Sequence, residues 1–180
     1  MNGTGNNTDP ASGTVHPAAA PPRPTFAWML RHPARVIACG FGSGLMRPAP
    51  GTWGTLFGWG TYVLLARHLP ELGMLLAVVL AFAIGVWACG VAGRDLGVAD
   101  HGGFVWDEVV AIWLVLALIP AGLYYQVAGF VLFRFFDILK PAPIRYFDAR
   151  WKSGFGVMFD DLLAAGYTLL VFALYVRFVS

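Results

Sequence analysis

The stretch VVAIWLVLALIPAGLYYQVAGFVLF, residues Val109–Phe133, decides how this chain folds. It is an uncharged run long enough to cross a bilayer once, since about 20 apolar residues span a hydrocarbon core of about 30 Å. Its centre, Ile119–Gly122, reads IPAG, and proline followed closely by glycine both breaks a helix and favours a turn. The run is therefore either one kinked span or a hairpin of two shorter helices.

The acidic residues around this run favour the hairpin. Seven of the ten carboxylates lie between Asp100 and Asp161. A single crossing would put Asp107 on the opposite side of the membrane from the later acids. A hairpin turning near Pro120 instead places Asp107 and Asp137 at similar distances from the turn, about 20–24 Å at about 1.5 Å per residue. We therefore predict that the run folds back on itself and that the acids share one side, with the kinked span as the alternative.

The composition of the whole chain is that of a membrane protein, with 58% hydrophobic and 12% charged residues. We predict an all-α fold, a polytopic membrane helical bundle with helical hairpins and a carboxylate site facing the cytoplasm. Three further uncharged runs extend over Trp53–Ala66, Leu72–Gly93 and Leu162–Val176. Only Leu72–Gly93 and Val109–Phe133 are individually long enough to span. The pentapeptide Arg67–Glu71 is predicted to be the turn of a first helical hairpin.

The N-terminal residues 1–25 differ from the rest of the chain. They are rich in Pro, Ala, Gly, Asn and Thr and contain too little apolar surface to offset the entropy of ordering. We predict a disordered tail before a single membrane-embedded domain, residues 26–180. The formal net charge of +2 gives no reason to expect a nucleic-acid partner. Cys39 and Cys89 lack the spacing of a metal site and are expected to be buried.

Basic residues indicate the orientation, because loops rich in Lys and Arg face the cytoplasm. They gather in two regions, one before the first hairpin and one after the second: Arg23, Arg31, Arg35 and Arg47, then Arg134, Lys140, Arg145, Arg150 and Lys152. We therefore expect a multi-pass protein of the inner membrane with its acids on the cytoplasmic side.

Two pairs of adjacent acids, Asp107–Glu108 and Asp160–Asp161, each stand at the start of an apolar run. An acid in a first helical turn is favoured by the helix dipole, or by capping, but this explains one acid and not two. Neighbouring helical residues are about 100° apart, so both pairs would suffer repulsion unless a cation bridges them. Oxygen ligands favour Mg²⁺ or Mn²⁺ over Zn²⁺. We predict a metal site formed by these four residues.

Lys140 and Arg145 flank the corner Pro141–Pro143 between two acid-bearing segments, and we predict that they bind a phosphate. A short helix can begin at Pro143 and would turn Asp148 toward its apolar face. Asp148 is then either a metal ligand or the partner of a nearby arginine.

A glycine-rich block precedes the first hairpin: GFGSG at Gly40–Gly44 and PAPGTWGT at Pro48–Thr55. Thr52 is predicted to cap the helix that follows, leaving its first amides free to bind an anion, although such a block is more often only a turn. No Cys followed at the proper spacing by Arg is present, which excludes a cysteine phosphatase. The sequence also lacks Asp-x-Asp, the paired histidines of other lipid phosphatases and the Asp-Gly-x-x-Ala-Arg motif of alcohol phosphatidyltransferases. Metal-activated water is the chemistry that remains.

Together these segments resemble the phosphatidylglycerophosphatase A family. The resemblance rests on GFGSG with PAPGTWGT, on DHGGFVWDEVVAIW (Asp100–Trp113) and on FDILKPAPIRYFDARWKSGFGVMFDD (Phe136–Asp161), in that order. It implies a Mg²⁺-dependent bacterial inner-membrane enzyme that removes the terminal phosphate of the phospholipid phosphatidylglycerophosphate. The resemblance places the functional positions at Thr52, Asp100, Asp107, Glu108, Asp137, Lys140, Pro141, Asp148, Asp160 and Asp161. With the residues argued above, we predict catalytic Asp100, Asp107, Glu108 and Asp137, metal-binding Asp107, Glu108, Asp160 and Asp161, and substrate-binding Thr52, Thr55, Lys140, Arg145 and Asp148.

The rival class is an ion-coupled transporter or channel that uses acids inside the membrane. Such a protein would distribute its acids along the spans. Here they gather at the starts of apolar runs beside Lys140 and Arg145, which favours an anion held through a metal.

Overall fold

All regular structure in the described part of the chain is helical. The computed structural model describes residues 23–142, 144–151 and 153–179, with the backbone alone for 147–149 and 179. The helices are α1 (Phe26–Met29), α2 (Pro33–Ala38), a 3₁₀ segment (Gly40–Leu45), α3 (Pro50–Leu65), α4 (Glu71–Leu96), α5 (Trp106–Leu118), α6 (Leu123–Leu139), α7 (Ile144–Arg150) and α8 (Gly154–Val179). The prediction of an all-α fold is confirmed for these residues.

Helix α5 forms the centre of the molecule. Its apolar residues occupy every face, and Val109, Ile112 and Val115 are completely buried. A helix that is hydrophobic all round is stable only when other helices cover it. Helices α3, α4, α6 and α8 all pack against α5 and provide that cover.

The break at Pro120 produces a hairpin and not a kinked span. Helix α5 ends at Leu118, and α6 begins at Leu123 after Gly122, whose φ of 127° is readily adopted only by glycine. With 13 residues, α5 is about 20 Å long, too short to cross a bilayer core alone. The far ends meet, since Arg134 Nη1 lies 3.5 Å from Glu108 Oε1. The predicted fold-back is therefore confirmed.

The first predicted hairpin has its turn at the expected place but a different packing. Helix α3 ends at Leu65 and α4 begins at Glu71, as the pentapeptide indicated. However, α3 packs mainly against α5, and α4 packs against α2, α5 and α8. Close contact between α3 and α5 depends on Gly58, because a Cβ there would lie 2.6 Å from Ile112 Cγ2 and 2.9 Å from Val109 Cα. The central helix thus separates the two arms.

Among the described residues, two helices are long and apolar enough to cross a membrane, α4 and the segment Gly154–Phe178 of α8. The prediction that Leu162–Val176 is too short was wrong, because α8 begins eight residues before that run and includes the acid pair. Both helices expose large apolar side chains, including Leu76, Leu80 and Phe178. These faces are consistent with a membrane-associated protein.

The remaining predictions concern the N-terminus and the cysteines. The predicted tail falls mostly on residues 1–22, which lie outside the described residues. Thr25 caps α1 by accepting a hydrogen bond from the Trp28 amide at 3.2 Å. Cys39 and Cys89 are free and buried, as expected, and burial raises the pKa of the Cys39 thiol to about 11. A thiol with such a pKa is not a nucleophile at neutral pH.

Candidate active site

Asp107 and Glu108 lie in the first turn of α5. The side chain of Asp107 is 8% exposed, and its Oδ1 accepts a hydrogen bond from the Glu108 amide at 3.1 Å. The positive end of the helix dipole favours carboxylates at this position. The hairpin and α8 bury them, so their charges need further compensation.

Helix α8 brings the second acid pair to the same place. Asp160 and Asp161 are 4% and 3% exposed and lie well inside α8, so neither caps a helix. The approach depends on Gly85 of α4. A Cβ there would lie 2.5 Å from Met158 Sδ of α8 and 2.7 Å from Trp106 Cδ1 of α5. Helices α4, α5 and α8 therefore meet at this point. Trp106 and Met158 lie one to three residues before the two acid pairs.

Three carboxylates form a candidate metal centre. One oxygen from each of Asp107, Glu108 and Asp161 lies within 4.8 Å of the other two. Glu108 Oε2 and Asp161 Oδ2 are buried and have no hydrogen-bond partner among the described residues. Such oxygens are costly to bury unless something positive binds them. This donor set of carboxylate oxygens suits a hard divalent cation.

Asp160, the fourth predicted metal ligand, turns toward a base. Its Oδ2 lies 2.6 Å from Lys140 Nζ. Lys140 ends α6 with a left-handed backbone, φ 43°, which directs the chain away from the helix. The ion pair with Asp160 thus places Lys140, the predicted phosphate-binding residue, beside the carboxylates.

Arg134 is the functional-site residue that the sequence reasoning missed, since it was counted only among the orienting charges. Its Nη1 lies 2.5 Å from Asp137 Oδ2 and 3.5 Å from both Glu108 Oε1 and Thr55 Oγ1. The guanidinium therefore joins α3, α5 and α6 at one point. The signal was available, because an arginine inside an apolar helix three residues before an aspartate needs a partner.

The start of α3 completes this network. Thr55 is fully buried and donates a hydrogen bond to the Gly51 carbonyl at 2.8 Å while accepting from Arg134. A Cβ on Gly51 would overlap Glu108 Oε1 and would lie 3.0 Å from both terminal nitrogens of Arg134. Glycine at this position lets the carboxylate and the guanidinium approach the backbone of α3.

The prediction that Thr52 caps this helix was wrong. Helix α3 begins at Pro50, and the N-cap residue is Ala49 in a left-handed conformation, φ 59°. Proline is favoured in the first helical position because its missing amide is not needed there. The Thr52 amide donates to the Ala49 carbonyl at 3.0 Å, so it is not free to bind an anion.

The other predicted site residues lie nearer the surface. Asp100 is exposed in the loop between α4 and α5, and Arg145 is exposed on α7. The predicted short helix after Pro141 is confirmed as α7, which packs against α8. Asp148 belongs to α7, but its side chain lies outside the described residues.

These features define a class of protein: an all-helical, apolar protein with a buried carboxylate centre between two basic side chains. The family model described as Phosphatidylglycerophosphatase A matches residues 36–176. The chain belongs to this family.

Individual relatives agree with the family model. A Haemophilus influenzae protein named Phosphatidylglycerophosphatase A is 51% identical over 144 residues, 79% of this chain and 88% of the relative. An Escherichia coli protein of the same name is 42% identical over 136 residues, 75% and 78% of the two chains. A Bacteroides thetaiotaomicron protein with the name "Putative phosphatidylinositol-3-phosphatase" is 37% identical over 159 residues, 84% and 94%. No solved structure gave a significant match.

Proposed function

We propose that this protein is a Mg²⁺-dependent lipid phosphatase that hydrolyses the terminal phosphomonoester of phosphatidylglycerophosphate to phosphatidylglycerol and inorganic phosphate. The observation that carries the proposal is the group of three carboxylates, Asp107, Glu108 and Asp161, with oxygens within 4.8 Å of one another. The names of the two relatives at 51% and 42% identity supply the substrate. Because the chain belongs to the same family as these relatives, we assign it their class of reaction, phosphatase chemistry.

Asp107, Glu108 and Asp161 are the residues that would hold the metal. Their fit rests on oxygen-only donors and on two buried oxygens without partners among the described residues. Bound Mg²⁺ would supply positive charge that offsets the carboxylates and stabilises the charge developing on the phosphoryl oxygens. Arg134 holds Glu108 and Asp137 in place through its ion pairs with both.

The chain's own residues then position the reactants. Lys140, held by Asp160 at 2.6 Å, binds an oxygen of the terminal phosphate. A carboxylate of the centre orients the attacking water and takes its proton. Asp137 lies close to both Arg134 and Asp161, at the edge of this centre. The new bond joins the water oxygen to phosphorus, the phosphorus bond to the glycerol oxygen breaks, and that oxygen receives a proton. Asp100, Arg145 and Asp148 complete the proposed set at the substrate side.

Phosphate release by the purified protein tests this function. We expect release from phosphatidylglycerophosphate in detergent micelles with Mg²⁺ and none with excess EDTA. Asp107→Asn should lower the rate by at least about 10²-fold, because a lost ligand removes transition-state stabilisation. The matched control is Glu71→Gln, which neutralises an exposed acid at the start of α4. Equal rates for Asp107→Asn and Glu71→Gln would contradict the assignment.

The proposed location is the bacterial inner membrane, crossed more than once, with the carboxylates on the cytoplasmic side. The support is the apolar length of α4 and α8 and the basic residues that surround Lys140. Single cysteines at Gly102 and Ser153, in a background without Cys39 and Cys89, test it. Both positions are exposed, and a Cβ at Gly102 meets open space.

An impermeant thiol reagent should label both cysteines in inverted vesicles and neither in intact cells. Labelling of the two sites from opposite faces would contradict a shared cytoplasmic side.

A further inference from the structure

A cavity lies beside the start of α3. Its volume is about 470 Å³, and its walls come from the segment before α3 and from the loop between α4 and α5. Arg47 and His101 are the two basic residues of its lining; the other lining residues are Pro24, Gly44, Leu45, Pro48–Pro50 and Gly102–Gly103. We call this space the Arg47–His101 pocket.

The pocket is basic. Arg47 is exposed to it, and His101 is half-buried. Burial lowers the pKa of His101, and the positive charges of Arg23 and Arg47 lower it further, while Asp100 acts in the opposite direction. His101 is thus near two guanidinium groups and one carboxylate. An excess of positive charge at a cavity mouth attracts anions.

The imidazole is oriented as a donor. Its Nδ1 accepts a hydrogen bond from the Gly103 amide at 3.0 Å, so a neutral ring carries its proton on Nε2. Two close-packed backbones fix this loop. A Cβ on Gly44 would overlap the Gly103 carbonyl oxygen, and a Cβ on Gly103 would lie 3.2 Å from the Gly44 oxygen. The imidazole therefore belongs to a wall that exists before any ligand binds, and Arg47 follows Gly44 of that wall by three residues.

The pocket borders the carboxylate centre. Pro50 lines it, and the next residue, Gly51, touches Glu108. Consecutive Cα atoms are only about 3.8 Å apart, so the pocket and the centre are contacted by neighbouring residues of α3. The His101 loop also runs directly into the first turn of α5, which carries Asp107.

We propose that the Arg47–His101 pocket binds the phosphodiester of the lipid substrate, next to the centre that takes the terminal phosphomonoester. This inference rests on the proposed function. Phosphatidylglycerophosphate carries both groups, joined through one glycerol, and the phosphodiester keeps its negative charge throughout the reaction. An arginine and an imidazole donor match its two free oxygens. The pocket thereby distinguishes this substrate from lipids that carry a phosphomonoester alone.

The experiment separates diester binding from phosphate binding. Titration calorimetry in EDTA measures the affinity for dihexanoyl phosphatidylglycerol, a short-chain lipid with a phosphodiester and no phosphomonoester. A second assay, with Mg²⁺ and radiolabelled substrate, measures inhibition of hydrolysis by inorganic phosphate. The variants are Arg47→Gln and His101→Asn, whose side-chain oxygen can still accept from the Gly103 amide. Arg67→Gln, at the opposite end of α3, is the matched control for loss of one exposed positive charge.

We expect Arg47→Gln to weaken dihexanoyl phosphatidylglycerol binding by at least about 10-fold, and His101→Asn by a smaller factor. Inhibition by inorganic phosphate should stay unchanged, and Arg67→Gln should behave as wild type. Wild-type affinity in Arg47→Gln would overturn the proposal. So would an equal loss in Arg67→Gln, which indicates general attraction to anionic lipid, or a parallel loss of phosphate inhibition, which assigns the pocket to the released phosphate. Failure of the proposed function has a different signature: the wild type binds the lipid but hydrolyses nothing.

Discussion

The two pairs of adjacent acids look alike in sequence, and within each pair the two carboxylates have different contacts. In the first pair, Glu108 contacts Arg134 while Asp107 contacts mainly other carboxylates. In the second pair, Asp160 contacts Lys140 while Asp161 faces the centre. Each pair therefore places one carboxylate against a base, and the other, Asp107 or Asp161, belongs with Glu108 to the candidate metal centre.

The difference between the two acids of a pair follows from helix geometry. Neighbouring helical residues project about 100° apart, so two adjacent acids cannot both face the same point equally. A base beside one member limits the repulsion, and the other member remains available for a cation. Glu108 does both, since one oxygen contacts Arg134 and the other is buried without a partner among the described residues.

The largest expected effect is on phosphate release, and it should distinguish Asp107 and Asp161 from Asp160, which is paired with Lys140. We expect Asp107→Asn and Asp161→Asn each to lower phosphate release by at least about 10²-fold, and Asp160→Asn by only about 10-fold. In EDTA, neither Asp107→Asn nor Asp161→Asn should lower the Tm, because removing one charge relieves repulsion among the acids. Mg²⁺ should raise the Tm of the wild type and of Asp160→Asn, but not of Asp161→Asn. A lower Tm of Asp161→Asn in EDTA would indicate a structural acid instead.

The second effect concerns the base of the first pair. Arg134→Gln leaves Glu108 and Asp137 buried without their guanidinium, which should cost about 3–5 kcal/mol of stability. Arg134→Lys should recover part of the loss, because a lysine restores the charge but not the planar fork. Thermal unfolding in detergent and the kcat of each variant measure both effects. Arg177→Gln, an exposed arginine at the end of α8, is the control. No difference between Arg134→Gln and this control would remove Arg134 from the site.

The third effect concerns the base of the second pair. Lys140→Ala should raise the KM for the lipid by about 10-fold, since a phosphate contact is lost. The side chain of Lys140 is 27% exposed and that of Asp160 is 5% exposed, so moderate salt should not abolish the difference. Arg145→Ala should have a smaller effect that declines with salt, because Arg145 is exposed. Wild-type kinetics of Lys140→Ala at moderate salt would exclude the phosphate role.

The smallest effect tests how closely α3 supports the first pair. Gly51→Ala places a Cβ against Glu108 and Arg134, so these side chains must shift, and we expect a several-fold loss of kcat. Gly60→Ala is the matched control on the same helix, where a Cβ meets nothing within 4 Å. That change should be neutral or should stabilise by up to about 1 kcal/mol, because alanine is the better helix former. Equal activity of the two variants would show that the contact at Gly51 is unimportant.

Several features of the fold could be predicted from local sequence because their causes are local. Pro120 and Gly122 marked the place where the helix is interrupted, and the turn before Glu71 was located in the same way. The start of α3 was mispredicted, because the helix begins at Pro50, two residues before Thr52, and proline is favoured in the first helical position. The length of α8 was underestimated because buried acids within a helix look like its end when only charge is considered.

The sequence by itself determined the helical class, the position of the break at Pro120, the two acid pairs and the family. These depend on composition, on residues close together in the chain and on long motifs. Only the tertiary structure decided which acid of each pair contacts a base, that Arg134 joins Thr55, Glu108 and Asp137, and that the Arg47–His101 pocket borders the centre. The physical reason is that these contacts join residues far apart in the chain. They depend on how closely the helices approach, which glycines such as Gly51 and Gly85 permit.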